Sequence, residues 1–155
     1  MDLKNKDFIE LLKRTQEKIA EKENWCQWAL ATNAQGMAVD ALDVNACRWC
    51  LLGALDCFRQ DYGLNRANVV IPLLEFAKER FPAWDGIEGG HITLQYINDT
   101  GGFENVHEFI DYCLSQLTKE EIINEPDAIV PCNVSVRENQ ETHRDGEPVD
   151  DGDAS

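Results

Sequence analysis

Phe8, Leu11, Leu12, Thr15 and Ile19 recur at helical spacing among lysines, glutamates and glutamines, so residues 4–22 are predicted to form an amphipathic helix. Glu17 and Glu21 alternate with Lys18 and Lys22, as on a solvated face. Asn24 breaks or caps the pattern, and the apolar run 25–30 reads as a short second helix or one more turn of the first. Residues 32–43 read as a connector, where Asn33, Gln35-Gly36 and two aspartates fit turns and caps. Asp40 or Asp43 is then expected to cap a third helix over 44–62, closed by Gly63. Asn65 suits the cap of a fourth helix over 66–80, in which Pro72 marks either a start near Ile71 or a kink.

Pro82, Gly86, Gly89 and Gly90 mark a loop, and residues 91–98 form a short apolar element compatible with a strand start or a short helix. Asp99 or Thr100 can cap a last helix over 102–117, striped by Val106, Phe109, Ile110, Cys113, Leu114 and Leu117. The pattern therefore predicts an all-α fold, a compact bundle of five to six short helices spanning residues 1–123. From residue 124 to 155 aromatic residues vanish and nine acids face two bases. Such a segment cannot bury enough apolar surface to offset chain ordering, so it reads as a disordered acidic tail.

The formal net charge of −15 changes the functional picture more than the apolar content does. Direct binding to nucleic acid or to an anionic membrane is disfavoured, and a basic protein partner is favoured. No apolar segment follows Met1 and no run reaches membrane-spanning length, so a cytoplasmic protein with its six cysteines as thiols is expected. On that expectation the acceptor patterns at Asn98 and Asn133 carry no glycosylation.

On the predicted third helix, Ala46, Cys50, Gly53 or Ala54, and Cys57 form a seam of small residues. Glycine inside a helix costs about 1 kcal/mol against alanine. The expected return is close approach by another segment, with Trp25, Trp28 or Phe109 as candidates to fill the groove. Trp25, Cys50, Gly53, Ala54, Asn98 and Asp99 are accordingly assigned structural roles.

These features together resemble an uncharacterised bacterial and phage family, a domain of unknown function. The resemblance rests on Trp25, Gly36, the Cys50-Leu51-Leu52-Gly53-Ala54-Leu55 run, Asn98-Asp99, and the stripe from Val106 to Leu117. It covers residues 8–117 and implies a compact helical domain without supplying an activity. The glycine usual in the family a few residues after the tryptophan is replaced here by Trp28-Ala29. The stretch between Asn65 and Gly90 is longer than in the family.

Candidate chemistry is sparse. Cys47-x-x-Cys50 lacks the second ligand pair that structural zinc requires, so neither metal nor cofactor is expected. A Cys/His hydrolase would use Cys50 as nucleophile, His91 as base, and Asn98 or Asp99 to orient it. Asp99-Thr100-Gly101 matches the aspartic peptidase triplet, but in a helical chain a helix cap accounts for it. Trp84, with Asp85 and Glu88 beside it, is the best candidate for an exposed aromatic anchor with acidic neighbours, the alternative being that it folds back onto the core. The function these features favour is a small acidic interaction protein. It would bind or inhibit a basic, nucleic-acid-binding protein, in the manner of phage counter-defence or immunity proteins. The Cys50 hydrolase is the alternative.

Overall fold

A computed structural model describes residues 5–84 and 93–124. Helix α1 (Asn5–Lys18) leads through a single 3-10 turn (Lys22–Asn24) into three two-residue strands: β1 (Ala31–Thr32), β2 (Ala38–Val39) and β3 (Arg48–Trp49). Helix α2 (Leu51–Phe58) follows directly and runs into a 3-10 turn (Arg59–Tyr62). Helix α3 (Arg66–Arg80), a 3-10 turn (Pro82–Trp84) and α4 (Leu94–Asn124) complete the described elements. The described residues thus hold four α-helices and a small sheet. They are mostly helical rather than the all-α bundle of five to six helices expected from the pattern. The helices and the sheet lie in one compact unit, Met1–Glu125. The expected acidic tail, Asn124 apart, lies outside the described residues.

The periodic stripes do what amphipathic helices must. Phe8, Leu11, Leu12, Thr15 and Ile19 of the first predicted helix are all buried, as are Val106, Phe109, Ile110, Cys113 and Leu117 of the last. They meet Leu51, Ala54 and Leu55 of α2, Val69, Leu73 and Ala77 of α3, and Leu94 and Ile97 of α4 in one core. Asn65 caps α3, its Oδ1 accepting from the Asn68 amide at 2.8 Å. Pro72 lies inside α3, which runs through it from Arg66. Gly63 stands at φ 67° beyond the turn that ends α2, a left-handed position that glycine takes freely.

Between α1 and α2 the chain departs from the helical reading. The segment 25–30 is not a helix. Trp25 forms a parallel bridge with Trp49, and the Cys26 amide donates to the Trp49 carbonyl at 3.2 Å. Strand β1 sits at the centre of the sheet, antiparallel to both neighbours, with Ala31 opposite Val39 on one side and Trp49 on the other. Asn33 closes the β1–β2 turn, its Oδ1 accepting from Gln35 and Met37 amides at 3.0 Å each.

The third helix begins at Leu51, not near Val44. Asp40 and Asp43 accept from the Leu42 and Asn45 amides, making local turns two residues long instead of helix caps. Meanwhile β1 and the residue before it take the amides that a longer helix would need: Cys47 N–H donates to the Thr32 carbonyl at 2.9 Å and Cys50 N–H to the Leu30 carbonyl at 3.0 Å. Cys47 and Cys50 therefore do not share a helix face. The last predicted helix, 102–117, is the part of α4 beyond a break at Gly102, and the short apolar element before it is helical from Leu94. Thr93 opens α4, its Oγ1 accepting from Tyr96 N–H at 3.0 Å, and the helix breaks at Gly102 with φ 81°. Asp99 and Thr100 lie within the first half of α4 and cap nothing.

Candidate functional site

Asn98 is fully buried and uses its whole hydrogen-bonding capacity. Its Oδ1 accepts from Trp25 Nε1 at 2.7 Å and from the Leu51 amide at 3.0 Å. Its Nδ2 donates to the Cys26 carbonyl at 3.0 Å and to Asp99 Oδ1 at 2.8 Å. One side chain of α4 thereby holds the entry to the sheet, the start of α2 and its own neighbour.

Asp99 carries the arrangement outward. Its Oδ1 accepts from the Trp28 amide at 2.9 Å, and its carbonyl accepts from Gln27 Nε2 at 2.8 Å. These two bonds fix the 27–28 segment in an unusual shape. Trp28 has φ 63°, and among the described residues it is the one non-glycine with positive φ. A left-handed backbone costs an L-residue about 1–2 kcal/mol. The indole nonetheless remains 77% exposed, so no burial offsets that cost. The expectation that Trp28 fills the seam of small residues is overturned.

The seam itself accommodates backbone. A Cβ on Gly53 would fall 1.9 Å from the Leu30 carbonyl oxygen, so the close approach is made by the chain entering β1. Trp25 packs edge-on against Phe103, with ring centres 5.8 Å apart, and Ala54 is buried in the core. Trp25, Cys50, Gly53, Ala54, Asn98 and Asp99 thus gather around one junction between sheet, α2 and α4.

The junction does not assemble an activated thiol. Cys50 caps α2, its Sγ accepting from the Gly53 amide at 3.3 Å, and it is 3% exposed. Burial pushes its thiol pKa up despite the helix amides that favour the thiolate. Cys26 is pushed up to about 11, by burial first and by the neighbouring Cys50 second. Burial also raises Cys57 and Cys113. The two groups nominated to orient a base are engaged elsewhere: Asn98 with Trp25, Leu51 and Cys26, and Asp99 with Trp28. His91, Asp85, Glu88 and the Trp84 side chain lie outside the described residues. Among the described residues no group of three or more histidines, cysteines, aspartates or glutamates could hold a metal ion.

Two arrangements were not anticipated from the pattern. Asp56, buried on α2, binds Arg59 Nε through Oδ1 at 2.7 Å and is also paired with Arg66. That carboxylate raises the Arg66 pKa. Lys18 Nζ stands 3.6 Å from the Trp49 ring centre and the Arg14 guanidinium 4.1 Å from that of Phe58, so α1 covers aromatic faces with its cations. The i, i+3 spacing of Asp56 and Arg59 was the available signal for the first; the second had none.

A profile of a family of unknown function, DUF6197, matches residues 4–115. The chain belongs to that family. No curated protein and no solved structure matches it. The matched region takes in α1, the sheet, α2, α3 and α4 past its break, and so includes the whole Asn98 junction. No helix among the described residues is long and apolar enough to cross a membrane.

Proposed function

We propose that the protein is a small acidic interaction module that binds a basic protein, with Trp28 as its anchor. The observation that carries this reading is the clamped, strained and exposed indole. Trp28 occupies a backbone conformation that glycine adopts at no steric cost, its amide is held by Asp99, and its ring is left in solvent. Rigid, preorganised tryptophans are the residues on which binding energy concentrates at protein interfaces. Met37, Leu42 and Val44 are exposed in the same sheet-and-loop segment, interspersed with the exposed acids Asp40 and Asp43. An apolar anchor with acidic surroundings suits a partner that offers an apolar pocket rimmed by lysine or arginine.

The net charge of −15 adds long-range attraction to such a partner. A nucleic-acid-binding protein has this chemistry, and inhibition by covering its basic face is the corresponding mode of action in the cytoplasm. The hydrolase alternative has less support, because the Cys50 thiol is buried and that burial pushes its pKa up. Affinity capture from a host lysate by wild type and by Trp28→Ala, in low and in high salt, tests the proposal. The expected result is a basic protein retained by wild type, weakened by salt, and lost with the variant while its circular dichroism stays unchanged. Equal capture by both proteins overturns the role of Trp28. A retained partner that is acidic, or that is indifferent to salt, overturns the electrostatic part.

A further inference from the structure

The Trp28 indole and the Asp99 carboxylate are joined at one point. Asp99 Oδ1 accepts from the Trp28 amide at 2.9 Å and from Asn98 Nδ2 at 2.8 Å. That amide nitrogen is separated from the indole ring only by Cα and Cβ, so the carboxylate sits at the root of the ring. Asp99 Oδ2 has no partner among the described residues. The one buried side-chain oxygen or nitrogen without a partner among them is Thr32 Oγ1, and Asp99 is only partly buried, so Oδ2 opens to solvent. The indole is equally unclaimed. Lys18 covers Trp49 and Arg14 covers Phe58, whereas no cation of the described residues stands over Trp28.

We infer that Trp28 and Asp99 form a recognition site for one arginine side chain of the basic partner. The site rests on the reading of Trp28 as an anchor and gives that anchor its chemistry. A guanidinium lies flat over an indole face, within about 6 Å of the ring centre. Its N–H groups point outward in its own plane, and one of them donates to Asp99 Oδ2 at the ring's root. Lysine suits this place less well. Its ammonium is a compact, strongly hydrated point charge without a plane to lay on the ring. The Trp28 amide bond to Asp99, and the Gln27 Nε2 bond to the Asp99 carbonyl at 2.8 Å, hold ring and carboxylate in place before the partner arrives. Less ordering is then left to offset on binding.

The test titrates the full chain into dye-labelled short peptides of alternating glycine and arginine, glycine and lysine, or glycine and citrulline, read by fluorescence anisotropy at low salt. The acidic surface attracts both cationic peptides, so the readout is the preference for arginine over lysine. Wild type should prefer the arginine peptide by about fivefold, and the neutral citrulline peptide should bind far more weakly than either. Asp99→Asn keeps an oxygen for the Trp28 amide and for Asn98, so circular dichroism should not change. Asp99→Asn and Trp28→Ala should each bring the preference to about one. The double variant should lose no more than either alone, because one guanidinium spans both groups. Glu10→Gln, which removes an exposed charge from α1, should weaken both cationic peptides alike and leave the preference intact. Equal affinity of wild type for the two cationic peptides, or a preference that survives Asp99→Asn or Trp28→Ala, overturns the site. The lysate capture fails separately. Capture that depends on Trp28 without any arginine preference overturns this site alone, and capture indifferent to Trp28 overturns the anchor and, with it, the assignment of this site to the partner.

Discussion

Two regions of this molecule are held together in different ways. The helical side, where α1, α3 and the second half of α4 meet, is held by stripes of buried side chains such as Phe8, Leu73, Phe109 and Ile110. The segment between α1 and α2 contributes few core residues and is held by polar bonds, with Asn98 at their centre. Of the large hydrophobic residues left exposed among those described, Trp28, Met37, Leu42 and Val44 belong to this segment, and Ile71 alone lies on a helix. A fold that fixes part of its backbone through one buried amide does not need the apolar side chains there for packing. They are left available for contact.

The sharpest way to break the comparison is to remove the polar centre. Asn98→Ala leaves Trp25 Nε1, the Leu51 amide and the Cys26 carbonyl without that partner, and should cost about 4 kcal/mol, read from the urea midpoint. Gly53→Ala attacks the same region from the other side. Its Cβ meets the backbone of Leu30, which cannot rotate away, so a loss of about 3 kcal/mol is expected in the same assay. Asp56→Asn removes a buried charge from two arginines; Arg59 is partly and Arg66 about half exposed, so about 1–2 kcal/mol is expected.

Alkaline pH separates thiols rather than regions. The folded state holds Cys26 at about 11 against an ordinary 9.0, so the stability tied to its protonation is full below pH 9.0 and is lost as pH rises toward 11. The urea midpoint should fall through that window, and Cys26→Ala should flatten the decline. Of the cysteines in the described residues, a neutral thiol reagent should label exposed Cys47 first and buried Cys113 last. The smallest expected effect is the most diagnostic. Trp28→Gly relieves the left-handed strain and should leave stability unchanged or raise it by up to about 1 kcal/mol, while abolishing capture of the partner. A large loss of stability would show the indole to be a packing residue.

The helical side was legible in the chain because its stripes are long. α1 and α3 run where apolar spacing, the Asn65 cap and Gly63 put them. The sheet was not legible, because strands of two residues are too short to alternate. The start of α2 was misplaced for a physical reason. Asp40 and Asp43 offered helix caps before Val44, yet they close local turns, and the carbonyls of Leu30 and Thr32 claim the amides of Cys50 and Cys47. The importance of Asn98 was legible only as a polar residue beside an apolar run. Its partners lie 73 residues away at Trp25 and 47 away at Leu51, distances that no local pattern reports. The positive φ at Trp28 carried no local sequence signal.

The long reach of Asn98 also sets an order of events during synthesis. A nascent chain that has emerged only as far as α3 has α1, α2 and every strand in hand, yet lacks the amide that joins them. Contacts of such separation form late, after the local helices. In a ribosome-stalled fragment ending before Ile97, residues 25–50 should therefore exchange freely, and the arrival of α4 should close that segment in one step.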